Sequence, residues 1–269
     1  MISRVCKFLS LPFSKKINSL HVRVVRVTDR LMFAISTIFF NRYILTYLPD
    51  SFVRRGYPHL YSLYDKFRKF NKRNNGGDSG RLISMMLNIE NVCGVKNVKG
   101  DFAELGVWRG NTAHVLAYYA KKYERNCYLF DTFYGFDAKD LKGFDSKFNT
   151  NHFSDTSLSL VKDVIGEDYF LNCELVPGYF PASIPPNLKN KSFSVVSLDA
   201  DLYEPMKAGL EFFFPLMNNG GLFLLHDYSS GIWDGCKRAI DEFCVKENQF
   251  LVLIPDKSGS AFIRVQKHK

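Results

Sequence analysis

The sequence predicts an α/β fold with a doubly wound, mostly parallel seven-stranded sheet, preceded by a helical N-terminal extension. Strand-like and helix-like segments alternate from about residue 100 onward, an arrangement that places helices on both faces of one sheet. Several predicted strands are apolar throughout, which is typical of parallel strands covered on both faces. The chain has 269 residues, of which 46% are hydrophobic, so it can bury a large core.

The elements follow one another in a regular order. A turn-rich segment, 71–78, divides the extension, residues 1–77, from the α/β domain, residues 78–269. Asp78 or Ser79 can cap the first helix of the domain. Strands are predicted at 101–107, 126–131, 172–178, 193–199, 222–227, 250–255 and 260–266, the last two as a hairpin. Helices are predicted at 81–92, 111–123, 157–165, 204–217 and 233–246, with a long loop at 132–154 and a turn at 218–221.

The positive charge is confined to the extension. The whole chain has a net charge of +9, but residues 1–77 carry +12 and residues 78–269 carry −3. The extension is therefore a candidate for peripheral contact with an anionic membrane face. Its aromatic residues at 57, 61, 64 and 67 follow a helical stripe, which favours a packing face on the α/β domain. Nucleic-acid binding is disfavoured, because stacking aromatics need a sheet or groove to display them.

The cysteines and the apolar segments favour a cytoplasmic protein, with membrane association at the inner face left open. None of the six cysteines forms a C-x-x-C pair, so they are expected to be reduced thiols. The N-terminal segment lacks a convincing secretory signal. The most apolar stretch, residues 31–48, carries Asn41 and Arg42 near its middle, which favours a buried or surface helix over a membrane span.

Acidic residues recur where predicted parallel strands end, at Glu104, Asp131, Asp199 and Asp227. In an open parallel sheet, ligands bind at the carboxyl ends of the strands. Carboxylates that cluster repel one another unless a cation or a polar ligand compensates them. We therefore expect these four side chains to converge on one pocket.

The first two of these strand ends have the features of a nucleotide-type cofactor site. Glycines at 106 and 110 allow a tight turn and a close approach to a ligand, although their G-x-x-x-G spacing is not the dinucleotide fingerprint G-x-G-x-x-G. A tight strand–helix turn without a ligand is the alternative. Asp131 can accept hydrogen bonds from two ribose hydroxyls, or it can serve as a local cap.

The other two strand ends have the features of a cation site. Asp199 and Asp227 would bring two carboxylates together, and hard cations such as Mg²⁺ take oxygen ligands. Glu204, and in part Asp201, are explained as acids that begin a helix.

Six motifs, in this order, carry a resemblance to a known family: GDFAELGVWRGNTA, LFDTFYGF, VPGYFPAS, SLDADLYEP, NNGGLFLLHDY and GCKRAIDEF. Together they resemble the macrocin O-methyltransferase family of S-adenosylmethionine-dependent enzymes, over residues 78–269. The resemblance implies a class I methyltransferase that uses Mg²⁺ and methylates a hydroxyl of a sugar or a similar small-molecule or glycan acceptor. The implied cofactor-binding residues are Glu104, Gly106, Trp108, Arg109, Gly110, Asn111, Thr112, Asp131, Thr132 and Gly178.

The resemblance also implies Asp199 and Asp227 as metal ligands, with one departure. The family often has an Asp-Asp pair where this chain has His226 and Asp227. Imidazole suits Zn, Fe or Ni better than Mg²⁺. Either the metal differs, or His226 is not a ligand, or the metal has been lost. His226 and Asp199 are also the candidate catalytic bases.

Two other functions compete with methyl transfer. Another nucleotide-dependent enzyme, such as a dehydrogenase, would use the same kind of sheet but lacks its G-x-G-x-x-G fingerprint here. A non-catalytic scaffold would not need acids at the strand ends. The sequence leaves open whether the protein is a monomer or a homo-oligomer.

Overall fold

The computed structural model describes residues 79–267 apart from 255 and 257, together with Val27, His59, Ser62, Leu63 and Lys66. The chain divides into two compact units, Met1–Tyr47 and Leu48–Lys269. The predicted helical character of 1–77 and the apolar stretch at 31–48 lie outside the described residues. Among the residues that the structure describes, no helix combines the length and apolarity needed to cross a membrane.

The described helices and strands alternate along the chain. The strands are β1 (Asp101–Leu105), β2 (Cys127–Asp131), β3 (Cys173–Pro177), β4 (Phe193–Leu198), β5 (Met217–Leu225), β6 (Leu251–Leu253) and β7 (Ala261–Arg264). The α-helices are α1 (Ser79–Ile89), α2 (Ala113–Lys122), α3 (Leu158–Ile165), α4 (Glu167–Phe170), α5 (Tyr203–Leu216) and α6 (Asp234–Lys246). Helix α1 continues as a π-helical segment, Glu90–Val95.

The seven strands form one sheet in the order β3-β2-β1-β4-β5-β7-β6. Strands β1 to β5 pair in parallel, and β7 runs antiparallel to both of its neighbours. Strands β2 and β3 lie on one side of β1, and β4 and β5 lie on the other, so the strand order reverses at β1. Such a reversal is the topological switch point, where ligands bind in open α/β sheets. The predicted fold class and the terminal hairpin are confirmed.

Two hydrophobic cores lie on opposite faces of the sheet. Phe102 belongs to the core that includes Leu116 of α2, whereas the next residue, Ala103, belongs to the core that includes Phe213 of α5. The same alternation holds along β4 and β5, because successive strand residues point to opposite faces. The apolar residues of β1, β4 and β5 are thus buried on one side or the other.

Most predicted boundaries lie within two residues of the observed ones, but the predicted turn at 218–221 is wrong. These residues lie inside β5, where the register with β4 shifts between the pairs Phe193↔Met217 and Val195↔Leu222. Gly220 has φ of +79°, so the chain bulges without leaving the sheet. Glycine and asparagine signal a special backbone conformation, and here that conformation is a bulge and not the end of the strand.

The five described cysteines are free thiols, as predicted. Three of the described residues that precede the predicted domain boundary pack on the α/β domain. Leu63 is buried, His59 lies 3.2 Å from the Tyr119 hydroxyl, and Lys66 Nζ donates to the Ile165 carbonyl at 2.9 Å. The aromatic stripe itself falls on residues outside the described part.

Candidate active site

A cavity of about 490 Å³ opens at the carboxyl ends of β1, β2, β4 and β5. Three of the four strand-end acids, Asp131, Asp199 and Asp227, line this cavity. The sequence-predicted site residues that line it are Gly106, Trp108, Asn111, Thr112, Asp131, Thr132, Gly178, Asp199, His226 and Asp227. One edge of the sheet therefore gathers ten of the thirteen predicted site residues.

The turn after β1 forms one wall of the cavity and requires its glycine. Gly106 has φ of +89°, and a Cβ there would lie 2.1 Å from the Asp199 carbonyl oxygen. The two strands β1 and β4 approach so closely at their ends that only glycine fits. Beyond the turn, Thr112 lines the cavity and immediately precedes α2.

Asp131 holds this turn in place. Its Oδ2 accepts hydrogen bonds from the backbone N–H groups of Val107 at 2.8 Å and Trp108 at 2.7 Å, and its Oδ1 accepts one from Phe133 at 2.7 Å. Burial raises the pKa of Asp131, while the three N–H groups act in the opposite direction. A carboxylate offers about four lone-pair sites, so Oδ1 retains acceptor capacity toward the cavity.

Three predicted cofactor residues do not line the cavity. Glu104 is fully buried beneath it, with Ser197 Oγ donating to Oε1 at 3.2 Å, and burial raises the pKa of Glu104 well above its usual value. Arg109 pairs with Asp155 at the surface, 3.0 Å apart. Gly110 packs against Val161, which a Cβ would approach to 3.2 Å.

The three predicted metal ligands form a compact cluster. His226 Nδ1 lies 2.6 Å from Asp199 Oδ1 and 2.7 Å from Asp227 Oδ2. One ligand atom from each residue falls within 4.8 Å of the others. The backbone hydrogen bond from His226 N to the Leu198 carbonyl, 3.0 Å long, keeps the ends of β4 and β5 in register and so brings these side chains together.

The electrostatics of the cluster depend on a buried arginine. Arg81 of α1 donates from Nη2 to Asp199 Oδ2 at 2.8 Å and to Thr112 Oγ1 at 3.1 Å. Burial raises the pKa of Asp199, but His226 and Arg81 outweigh it and hold this pKa well below its usual value. Burial and Arg81 lower the pKa of His226, but the carboxylates of Asp199 and Asp227 outweigh them and raise it to about 9.

The sequence prediction missed the role of two cavity residues, Arg81 and Asp201. Arg81 was assigned only to a helix, and no local pattern connects it with Asp199, which is 118 residues away. Asp201 lines the cavity with φ of +60°, and burial together with Asp227 and Asp199 raises its pKa well above the usual value. The acidic pattern of SLDADLYEP was the available signal for Asp201. Glu204, in contrast, begins α5 and pairs with Lys142 at 3.1 Å, as the helix-start interpretation predicted.

Aromatic side chains from the long loop cover the cavity. Phe136 and Phe153 lie 5.5 Å apart by ring centroid, and both contact Trp233, which precedes α6. Trp108 meets Phe153 edge to face at 5.3 Å. The cavity thus has acids on its floor and aromatic rings on its wall, two of them from the loop at 132–154.

The donor set of the cluster fits a divalent cation. Two carboxylates and an imidazole point ligand atoms at a common space, and His226 Nδ1 is buried without an aligned hydrogen bond to any described residue. Oxygen and imidazole donors of this kind bind divalent metals in proteins.

Solved structures share this fold. The O-methyltransferase NovP matches with a TM-score of 0.65 and 22% identity over 77% of this chain and 99% of that one. The calicheamicin methyltransferase CalS11 matches with a TM-score of 0.57 and 21% identity, covering 84% and 100% respectively. The fold, with its cavity at the switch point, is that of a class I methyltransferase.

Sequence comparison places the chain within that class. The family model for Macrocin-O-methyltransferase (TylF) matches residues 77–252, and the chain belongs to this family. Demethyldecarbamoylnovobiocin O-methyltransferase of Streptomyces niveus is 28% identical over 62% of this chain and 66% of its own length. Mycinamicin III 3''-O-methyltransferase of Micromonospora griseorubida is 26% identical over 54% and 61%. The chain therefore spans just under two thirds of the length of these curated relatives.

Proposed function

We propose that this protein is an S-adenosylmethionine-dependent O-methyltransferase that methylates a hydroxyl of a sugar or another small polyhydroxylated acceptor, assisted by a divalent cation. One observation carries the proposal. A single cavity is lined by Asp131 on one side and by Asp199 and Asp227 on the other. All three curated relatives are named O-methyltransferases, and the name of the Streptomyces olivaceus relative includes a rhamnosyl group, which supports this substrate class.

The cofactor half of the site comprises Asp131 and the turn at 106–112. Oδ1 of Asp131 accepts the Phe133 N–H, and because a carboxylate has about four lone-pair sites, it can also accept from a ribose hydroxyl. Gly106 lines the cavity here and lets the turn pack against the end of β4. Trp108, Thr132 and Gly178 complete the wall on this side.

The acceptor half comprises the cluster and the aromatic wall. Asp199, His226 and Asp227 would hold the cation, which when bound would lower the pKa of an acceptor hydroxyl and orient it. The rings of Phe136, Phe153 and Trp108 would pack against the apolar face of a sugar or against a flat ring.

The acidic floor of the cavity provides the groups that take up the acceptor proton. Asp199 and His226, the sequence-predicted candidates, serve in this proposal as ligands of the cation, and Asp201 faces the same space as a further acid that can take up the proton. The chain's remaining contribution is alignment of the acceptor oxygen with the methyl group, which is worth about 7–11 kcal/mol in well-oriented systems.

The test begins with cofactor binding. Calorimetric titration with S-adenosylhomocysteine should show saturable binding, and NAD should show none. The absence of binding by S-adenosylhomocysteine would contradict the proposal and favour a non-catalytic scaffold.

Methyl transfer is then measured with labelled S-adenosylmethionine and a panel of neutral pyranosides, with and without EDTA. Asp199→Ala and Asp227→Ala should lose transfer, and EDTA should abolish it in the wild type. Asp168→Ala serves as the control, because Asp168 is 89% exposed and remote from the cavity. Full activity in both cluster variants would refute the role of the cation.

The cytoplasmic location and peripheral membrane contact through residues 1–77 stay predictions, as does a homo-oligomeric state.

A further inference from the structure

The cluster at the cavity floor combines a nitrogen with two oxygens. Its three side chains come from the ends of two adjacent strands, β4 and β5, so their positions are fixed by the sheet and not by a mobile loop. Asp199 offers Oδ1, Asp227 offers Oδ2 and His226 offers Nδ1. These three side chains are between 11% and 20% exposed, which leaves the cluster largely shielded from bulk water.

The Nδ1 atom of His226 lies against one oxygen of each carboxylate in the cluster. Nδ1 is 2.6 Å from one carboxylate oxygen and 2.7 Å from another, yet it is aligned for a hydrogen bond with neither. A hydrogen bond prefers a donor–hydrogen–acceptor angle above about 150°. One ligand atom from each of the three residues lies within 4.8 Å of the others, so a single cation could be shared by all three.

Arg81 limits what Asp199 can offer to a cation. Its guanidinium holds Asp199 Oδ2 at 2.8 Å and is itself buried. Oδ2 therefore already accepts a charge-assisted hydrogen bond, which leaves Oδ1 as the better available oxygen for a cation. The protein thus presents one oxygen from each carboxylate and one imidazole nitrogen, with the remaining coordination positions open.

We propose that His226 makes this site selective for a divalent transition metal, such as Mn²⁺, Fe²⁺, Co²⁺, Ni²⁺ or Zn²⁺, over Mg²⁺. This inference rests on the proposed function, and it specifies the class of cation that the proposed enzyme uses. Mg²⁺ demands oxygen ligands in octahedral geometry and retains its waters, whereas imidazole is a good ligand for borderline metals. A nitrogen in place of a third carboxylate also removes a negative charge, which weakens the electrostatic attraction that Mg²⁺ depends on.

The experiment compares the wild type with His226→Asp, which converts the donor set to oxygen only. Both proteins are stripped with EDTA, dialysed and titrated calorimetrically with CoCl₂ and with MgCl₂. The ratio of the Mg²⁺ to the Co²⁺ dissociation constant should fall by at least about tenfold in His226→Asp, because the nitrogen ligand is lost. His152→Asp is the matched control, since it makes the same change in the loop outside the cluster and should leave the ratio unchanged.

A second measurement uses only the wild type, in case the variant fails to fold. Pulsed electron paramagnetic resonance of bound Mn²⁺ should detect hyperfine coupling to a directly coordinated imidazole nitrogen. An unchanged affinity ratio in a folded His226→Asp protein, or Mn²⁺ bound without nitrogen coupling, would overturn the inference. A wild type that binds S-adenosylhomocysteine but no divalent cation would also overturn it, whereas failure to bind S-adenosylhomocysteine would count against the proposed function itself.

Discussion

Replacing Asp131 by Asn tests whether one carboxylate both builds the cofactor turn and binds the cofactor. The carboxylate accepts three backbone N–H groups, from Val107, Trp108 and Phe133, at 2.7–2.8 Å. The amide of Asn has only one acceptor oxygen, so its NH₂ group must face at least one of these donors. The substitution is nearly isosteric, and its effect therefore reports hydrogen bonding rather than packing.

The magnitude follows from these contacts. One buried N–H without a partner costs about 1–3 kcal/mol, and the other two bonds lose the extra strength that a charged acceptor gives. We expect Asp131→Asn to lower the free energy of unfolding by about 3 kcal/mol. If Oδ1 also accepts a ribose hydroxyl, the affinity for S-adenosylhomocysteine should fall a further ~10- to 100-fold, equivalent to about 1.4–2.8 kcal/mol.

Urea unfolding and calorimetric titration with S-adenosylhomocysteine measure the two effects separately. Asp155→Asn is the matched control, because Asp155 accepts from the Trp108 indole N–H and from Arg109 in the same region but is 64% exposed. The control should lose less than about 1 kcal/mol. If Asp131→Asn were as stable as this control and bound the cofactor product equally well, the assignment of Asp131 to the turn and to the ribose would be refuted.

Three further predictions concern stability. Burial raises the pKa of Glu104, so its carboxyl stays protonated in the native state at a pH where the unfolded chain has already released this proton. The free energy of unfolding should therefore decline as pH rises above about 4.3, by up to ~1.4 kcal/mol per pH unit. In Glu104→Gln, urea unfolding at about pH 5 and about pH 8 should show a smaller decline. Gly106→Ala should lower the free energy of unfolding by about 3–5 kcal/mol, because its Cβ would meet the backbone of Asp199. Gly143 is also at positive φ but has open space around it, so Gly143→Ala should lower this free energy by only about 1–2 kcal/mol. Thermal unfolding measures both. Arg81→Met should cost about 1.5–3 kcal/mol in urea unfolding, because it removes one of the two charged partners of Asp199 and leaves only His226.

Each of these has an outcome that would contradict it. A pH slope that persists in Glu104→Gln would assign the decline to another group. Equal stability of the two glycine variants would show that the β1 turn can open. Arg238→Met removes an exposed arginine paired with Glu242 at 2.6 Å and should cost no more than about 1 kcal/mol; a similar loss in Arg81→Met would mean that Asp199 does not depend on Arg81.

The order of strands and helices could be read from the sequence because its causes are local. Apolar runs, helix-spaced hydrophobic residues and glycine turns each act within a few residues. The prediction that Asp131, Asp199 and Asp227 meet followed from one rule, that parallel strands end at the same edge of a sheet. The same local patterns gave a wrong prediction at 218–221, because Asn and Gly occur in β-bulges as well as in turns.

The chain's own sequence thus determined the sheet, its functional edge and the acids that occupy it. Only the tertiary structure decided which side chains enter the cavity. Glu104 stands one residue before the end of β1, opposite Ser197, so its side chain points into the protein interior. Arg81 reaches Asp199 across 118 positions of the chain, and the directions of Asp227 and Asp201 depend on backbone angles at positive φ. Residue type and spacing fix which groups are near a strand end, but the directions of their side chains arise only when distant segments pack together.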